Sequence, residues 1–358
     1  MSMLSGKWWK QSLVGSALLL AILLAIVAIV ALAGSTTDMR ILMVFLINVI
    51  AAISLQTYAG NSGNISFGHV GFMALGAYGS ALFTADPAIK AIGIPDAPAF
   101  IREAQISFLP AMLIGTVIAV AVAAAIGRVF VRLSGAAAAV ATLGFMVIVY
   151  TLLSNAEQLT RGSKAFSGIP EYTTLGWCVA LLALTIVVAR LLRDSNTGLG
   201  LRACADDPIA GQAAGVDILN SRYVMWVASA AGAAIAGALY AHYIGAILPK
   251  AFHFELTFVL VTMVIVGGRS ITGAVAGAAL ITILTEVLRR LENGFSIGSI
   301  NLSEAPGLTT AVLALMIVAT LTIRPQGLVS RWEIEELLQR WQLRQKPQAS
   351  ARTEENHA

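Results

Sequence analysis

Between Leu13 and Ala33 the chain reads LVGSALLLAILLAIVAIVALA, 21 residues without a charge. A helix crossing about 30 Å of hydrocarbon needs about 20 apolar residues. Comparable runs follow at 41–59, 66–84, 107–126, 135–153, 177–193, 223–244, 257–268, 273–288 and 308–323. The 358 residues are 58% hydrophobic and only 12% charged, whereas soluble domains carry about 25% charge. A backbone in lipid must satisfy its own hydrogen bonds, so the runs are helices. The expected fold class is an all-α integral membrane protein of about ten transmembrane or partly re-entrant helices. The segments 66–84 and 257–288 are short or glycine-rich, and broken helices are expected there. The apolar core of the first run exceeds the roughly 7–15 residues of a signal peptide, so it reads as a retained span.

The charges orient the bundle. Lys7 and Lys10 precede the first run, Arg128 and Arg132 lie in the loop 127–134, and Arg190, Arg193, Arg202 and Arg222 lie in the stretch 190–222. With ten spans these fall on one side, together with the basic tail from Arg324, and excess Lys and Arg marks the cytoplasm. The reading is a multi-pass protein of a bacterial inner membrane with both termini cytoplasmic. The net charge of +4 is therefore explained without nucleic acid. Arg289 and Arg290 are the exception, at the outer end of a span, where Glu286 stands three and four residues before them and is expected to pair with them. Residues 1–12 form a cytoplasmic N-terminus with Trp8 and Trp9 as an interfacial anchor, and 13–328 form the transmembrane domain. In 329–346, Ile334, Leu337, Leu338 and Trp341 share one face of an amphipathic helix expected on the membrane or a partner. The tail 347–358 is polar and expected to be disordered. Cys178 and Cys204 fall on opposite sides of a span and read as unpaired thiols, and no metal-ligand spacing occurs.

One long cytoplasmic loop, 195–222, contains its own helix signals. Asp207 is a good N-cap, Pro208 suits the first helical position, and Gly215 can end the helix in the left-handed conformation. A helix of two turns has no core of its own and requires a surface to dock on. The competing reading is a solvated connector.

The segment QTYAGNSGNISFGHVG, 56–71, is polar and glycine-rich between apolar runs. Either 60–66 is a short cytoplasmic turn, or it is a helix break lining a path, since irregular backbone at membrane depth is tolerated only where it is buried or lines a cavity. In the second case Asn64 or Ser66 would cap the following helix, whose N-terminus could face a carboxylate. Ser66 and His69 share a helical face, but no carboxylate completes a hydrolytic constellation, and His69 reads as a hydrogen-bonded packing residue. No catalytic residues are expected. No GxxxxGK[ST] pattern occurs, so the chain holds no nucleotide site of that type. Few charges lie inside spans, which disfavours ion-coupled transport. Gly273 and Gly277 form a GxxxG packing face.

Four blocks in order carry a family resemblance: NISFGHVGFMALGAYGSA (64–81), GLGLRACADDPIAGQAAGVD (198–217), GGRSITGAVAGA (267–278) and RPQGL (324–328). The chain resembles LivM-type permease subunits of branched-chain amino acid ABC importers over most of its length. It departs from the pattern at Ala274, where proline is frequent, and at Arg161-Gly162, where a glycine pair is usual. The resemblance implies coupling to an ATPase through Arg202, Asp206, Asp207, Ala210 and Gly215. It implies a substrate pathway near Asn61, Asn64, Ser66, His69 and Tyr78, with helix packing or gating at Gly68, Gly71, Gly76, Gly267, Gly268, Gly273 and Gly277. The partners implied are a second homologous permease subunit, two cytoplasmic ATPases and a periplasmic solute-binding protein, and ATP is used by the ATPases, with no cofactor in this chain. The mechanism implied is alternating access for a branched-chain or related hydrophobic amino acid. Importers of urea, amides or aromatic acids, or an ion-coupled secondary transporter, are the alternatives.

Overall fold

The computed structural model describes residues 8–292, 296–297, 300–301, 307–324, 326–330 and 332–336. Its helices are α1 (Trp8–Ala33), α2 (Thr36–Ser62), α3 (His69–Thr84), α4 (Pro87–Gly93), α5 (Ala99–Arg102), α6 (Phe108–Phe130), α7 (Gly135–Asn155) and α8 (Glu157–Thr160). They continue with α9 (Leu175–Asp194), α10 (Asn196–Asp206), α11 (Pro208–Ala213), α12 (Ile218–Ile244), α13 (Phe254–Gly267), α14 (Ile271–Glu292) and α15 (Leu308–Ile323). Each of the ten apolar runs falls on one of these helices. Among the described residues, eight helical stretches are long and apolar enough to cross a membrane. The runs at 66–84 and 308–323 are shorter, 16 residues each as α3 and α15, about 24 Å at 1.5 Å per residue. The expectation of short or broken helices thus holds at 66–84 and also within 257–288, where α13 has 14 residues and the chain breaks at 268–270 before α14.

Small residues decide which helices meet. α3 lies between α6 and α12, and its glycines remove the side chains that would hold them apart. A Cβ on Gly76 would run into the Ala234 backbone, and one on Gly237 would overlap the Met73 carbonyl oxygen. Gly79 and Gly115 press on each other in the same way. With no apolar effect to drive helices together in lipid, such close backbone approach is the main source of attraction. α2 forms the other half of the core and is buried along its length from Leu42 to Ser62, apart from the half-buried Val44 and Asn48. Exposed Ile29 and Leu32 on α1, Val117 on α6, Val140 on α7, Ile283 on α14 and Leu315 on α15 form the apolar exterior.

The helices alternate in direction, so the loops gather at two ends. At one end the Ile169 and Thr173 N–H groups donate to the Gly245 and His242 carbonyls. There β1 (Phe166–Ser167) and β2 (Ala246–Ile247) pair antiparallel, Phe166 opposite Ile247. A second two-stranded ribbon joins β3 (Ser296–Ile297) to β4 (Ile300–Asn301). The buried Lys90 of α4 donates to the carbonyls of Leu82 (3.1 Å), Ile101 (2.7 Å) and Ala104. Burial pushes the Lys90 ammonium below its usual range, and three carbonyls supply the acceptors that a buried cation needs. Glu286 accepts from Arg289 at 2.7 Å and Arg290 at 3.0 Å, the expected pairing. The other, basic end holds the loop 195–222.

Candidate functional site

The break in the polar segment is displaced from its expected place. Gly60, Asn61 and Ser62 remain helical, because Asn61 Nδ2 and Ser62 Oγ donate back to the Thr57 and Tyr58 carbonyls at 2.8 and 2.7 Å. α2 ends at Gly63, whose φ of +72° only glycine adopts without strain. The irregular stretch is therefore 63–68, in which Asn64, Ser66 and Gly68 are buried.

Neither Asn64 nor Ser66 caps α3, although the reading of a path-lining break expects one of them to. The N-cap is Gly68, which makes no side-chain cap bond of its own. Asn64 Oδ1 instead accepts the Gly135 N–H at 3.1 Å, tying the break to the first residue of α7. Ser66 Oγ accepts the Gly68 N–H at 3.2 Å and lies 2.9 Å from His69 Nδ1. Ser229 donates its hydroxyl to the Trp226 carbonyl, so it accepts from His69 Nε2, 2.8 Å away. That fixes the tautomer: Nε2 carries the proton and Nδ1 accepts from Ser66. Tyr58, Phe72 and Trp226 surround the ring at centroid distances of 6.1, 6.0 and 5.5 Å. His69 is the hydrogen-bonded packing residue that the sequence suggested. Tyr78 is not brought to this cluster. It lies further along α3 between Phe166 and Phe252.

The glycine blocks interlock at the basic end. Gly273 and Gly277 receive α13: a Cβ on Gly277 would overlap the Met263 carbonyl, and one on Gly267 would overlap that of Gly273. The last carbonyls of a helix have no partner within it. Here the N–H groups of Leu328 and Val329 donate to the carbonyls of Val266 and Gly267 at 2.7 and 3.1 Å. Gln56 Nε2 donates to the Gly268 carbonyl at 3.1 Å. The sequence blocks 267–278 and 324–328 are thus two halves of one joint, with α2 as its third side. Gly68 and Gly71 meet Thr142 and Phe145 of α7 in the same close manner.

The cytoplasmic loop of the sequence reading contains two helices, not one. α10 was not foreseen; it is capped by Ser195, whose Oγ accepts the Gly198 N–H at 3.2 Å. α11 follows the predicted grammar. Asp207 Oδ1 accepts from Ile209 N and Ala210 N, both at 3.0 Å. At its end Val216 N donates to Gly211 O and Gly215 N to Gln212 O, the paired bonds of a Schellman ending, with Gly215 at φ +82°. One face is pinned, since Gly211 sits against Cys204 of α10 with no room for a Cβ. The other is open: Pro208, Ala210, Gln212 and Ala213 are exposed, and Ile209 is 82% exposed.

Beneath α10 lies an ion cluster that sequence reading missed. Glu333, 3% exposed, pairs with Arg190 at 2.9 Å and with Arg193 at 2.7 Å. Its oxygens also accept from Ile271 N (2.9 Å), Thr272 N (3.1 Å) and Thr272 Oγ1 (2.7 Å), at the first turn of α14. Burial alone would raise the Glu333 carboxyl, but Arg193 and Arg190, with the α14 donors, hold it below the usual carboxylate range. Burial pushes the Glu335 carboxyl up, and the single guanidinium of Arg190 does not offset it. Arg193 also donates to the Arg269 carbonyl at 3.0 Å, and Arg269 pairs with Asp206 at 3.2 Å. These residues, with Arg202, Trp332 and Glu336, line a cleft of about 290 Å³. Burial, and then Arg193, push the Arg202 guanidinium down to about 10, which leaves it charged at neutral pH. The segment after α15 therefore begins by docking on its own chain through Glu333, while Leu337, Leu338 and Trp341 of the expected apolar face lie outside the described residues. The available signal was Arg190 and Arg193 one turn apart at the end of a span, with the acidic run 333–336 far downstream.

A family model described as the permease component of the branched-chain amino acid transport system matches residues 39–321. The chain is 27% identical over 319 residues to the high-affinity branched-chain amino acid transport system permease protein LivM of Escherichia coli, covering 79% of this chain and 68% of that protein. The Salmonella typhimurium LivM is 26% identical over the same shares. A probable branched-chain amino acid transport permease protein LivH of Methanocaldococcus jannaschii is 25% identical over 194 residues, 52% of this chain and 59% of that protein. No solved structure matches.

Proposed function

Because the chain belongs to the branched-chain amino acid transport system permease family, we propose that it is the membrane-spanning permease subunit of a binding-protein-dependent ABC importer. It moves a branched-chain or related hydrophobic amino acid by alternating access. The observation that carries the reading is α11, a short helix capped at both ends, pinned through Gly211 and presenting Ile209 and its neighbours outward. A two-turn helix with an open apolar face gains most by docking into a partner. That partner is a cytoplasmic ATPase, which supplies the nucleotide chemistry for which this chain has no P-loop.

In this reading two ATPases close on ATP and drive α11 of this chain and its counterpart in a second, homologous permease. The pair then reopens on the other side of the inner membrane, where a periplasmic receptor has delivered solute. Asp206, Asp207, Ala210 and Gly215 shape the loop that receives the push, and Arg202 lies behind it. The buried break at 63–68 joins α2, α3 and α7, so it is the place where their relative tilt changes.

Proteoliposomes containing both permeases and the ATPases, with receptor outside, are expected to accumulate labelled leucine only with ATP inside. Uptake by this chain alone, driven by an ion gradient, would establish a secondary transporter instead. Ile209→Asp is expected to lose the ATPases on co-purification while the permease pair remains intact. Competition of leucine uptake by urea, short amides and aromatic acids decides the cargo.

A further inference from the structure

The ion cluster under α10 is more elaborate than attachment of a tail requires. Glu333 makes two ion pairs and three hydrogen bonds, all to groups from two different helices: Arg190 and Arg193 at the end of α9, and Ile271 and Thr272 at the start of α14. The bond from Ile334 N to Thr272 Oγ1, 3.1 Å, closes the same ring. Removing a carboxylate from between two buried guanidinium groups leaves uncompensated charge, so the cluster has one favourable arrangement rather than a continuum.

That arrangement is linked to α11 by a short chain of contacts. Arg193 has its Nε on Glu333 and its Nη1 on the Arg269 carbonyl. Arg269, in the turn between α13 and α14, holds Asp206 with its guanidinium. Asp206 is the last residue of α10, and the next residue, Asp207, caps α11. Gly198 of α10 packs against the Leu192 and Arg193 carbonyls with no room for a Cβ, so α10 rests directly on the end of α9.

We propose that Glu333 is a positioning residue for α11: it locks the end of α9 and the α13–α14 turn into one body on which α10 and α11 ride. The inference rests on the importer reading above. With the lock in place a push on α11 moves α9 and α14 together. Without it, the push is absorbed by local rotation of α10, and ATP is hydrolysed without movement of solute. Arg193 is the bifurcated element. Lysine cannot replace it, because one ammonium does not span the carboxylate and the Arg269 carbonyl as a planar guanidinium does.

The test is the number of solute molecules moved per ATP hydrolysed, in proteoliposomes of the complete importer. Glu333→Gln keeps the shape and removes the charge. It is expected to lower that ratio about tenfold, with ATP hydrolysis and subunit co-purification near the wild-type level. Arg269→Gln, at an exposed ion pair whose loss does not threaten folding, is expected to lower the ratio in the same direction. The double variant is expected to be no worse than the worse single one, as for members of one linked unit. Glu286→Gln, at the far end of α14, leaves the ratio unchanged. A merely structural role for Glu333 would reduce assembly, hydrolysis and uptake together at a constant ratio, and that result overturns the proposal. An unchanged ratio in Arg269→Gln overturns it equally, including where Glu333→Gln does not assemble. Absence of ATP-dependent uptake in the wild type would remove the importer reading and this inference with it. Wild-type uptake with unaltered ratios in the variants removes only this inference.

Discussion

Glu333 and Glu335 are two residues apart and face the same Arg190, and burial raises both carboxyls, yet their net shifts are opposite. Glu333 holds a second guanidinium and two N–H groups at the start of α14, and its pKa falls below the ordinary 4.5. Its contribution to stability is therefore fully present above that value and is lost as pH falls through the lower folded value. Glu335 is raised by burial, so protonating it relieves a penalty, and stability rises on mild acidification. Thermal unfolding in detergent should show a shallow gain as pH falls toward the ordinary carboxylate range and a loss below it. Glu335→Gln is expected to remove the gain, and Glu333→Gln the loss. At the opposite end, Lys90→Ala strips the buried Ile101 carbonyl and the part-buried Leu82 and Ala104 carbonyls of their donor. At about 1–3 kcal/mol for an unsatisfied buried group, a loss of about 1–3 kcal/mol is expected in denaturant unfolding.

At the scale of elements, α3 is a helix of modest length placed by its neighbours' lack of side chains. Gly76 and Gly237 set the spacing to α12, and Gly79 and Gly115 the spacing to α6. Gly237→Ala puts a methyl where the Met73 carbonyl already lies, so α3 and α12 must separate. The expected outcome is a lower yield of folded protein and a large fall in melting temperature. Gly144 of α7 has no atom within 4 Å of an added Cβ. Gly144→Ala should therefore gain about 0.5–1 kcal/mol from helix propensity alone. The two substitutions are the same chemistry with opposite sign. Only packing separates them.

For the whole molecule, alternating helices put α11, the break at 63–68 and the Glu333 cluster at one end, with Lys90 and the β1–β2 ribbon at the other. Arg128 and Arg132 flank the basic end as well. The expected topology has that end in the cytoplasm. A cysteine in Ile209→Cys should react with a membrane-impermeant maleimide in inside-out vesicles only, and one in Asp96→Cys in right-side-out vesicles only. The native thiols, Cys178 and Cys204, are buried and contribute little background.

Read alone, the residues settle the ten apolar helices, the capping of α11 by Asp207 and its ending at Gly215, the Glu286 pairing and the family. All but the family rest on local spacing or on composition, because helix length, caps and i,i+4 pairs involve residues close in the chain. The family rests on four short blocks, each local in itself. Packing in three dimensions supplies the rest. It moves the break from 60–66 to 63–68, since Asn61 and Ser62 bond backward along α2 instead of opening it. It turns Asn64 away from α3 toward Gly135 and joins the 267–278 and 324–328 blocks into one joint. It also brings Glu333 to Arg190 and Arg193, across about 140 residues of chain. A buried charge must find its counter-charge wherever the packed helices bring one, and no local pattern in either segment says which one that is.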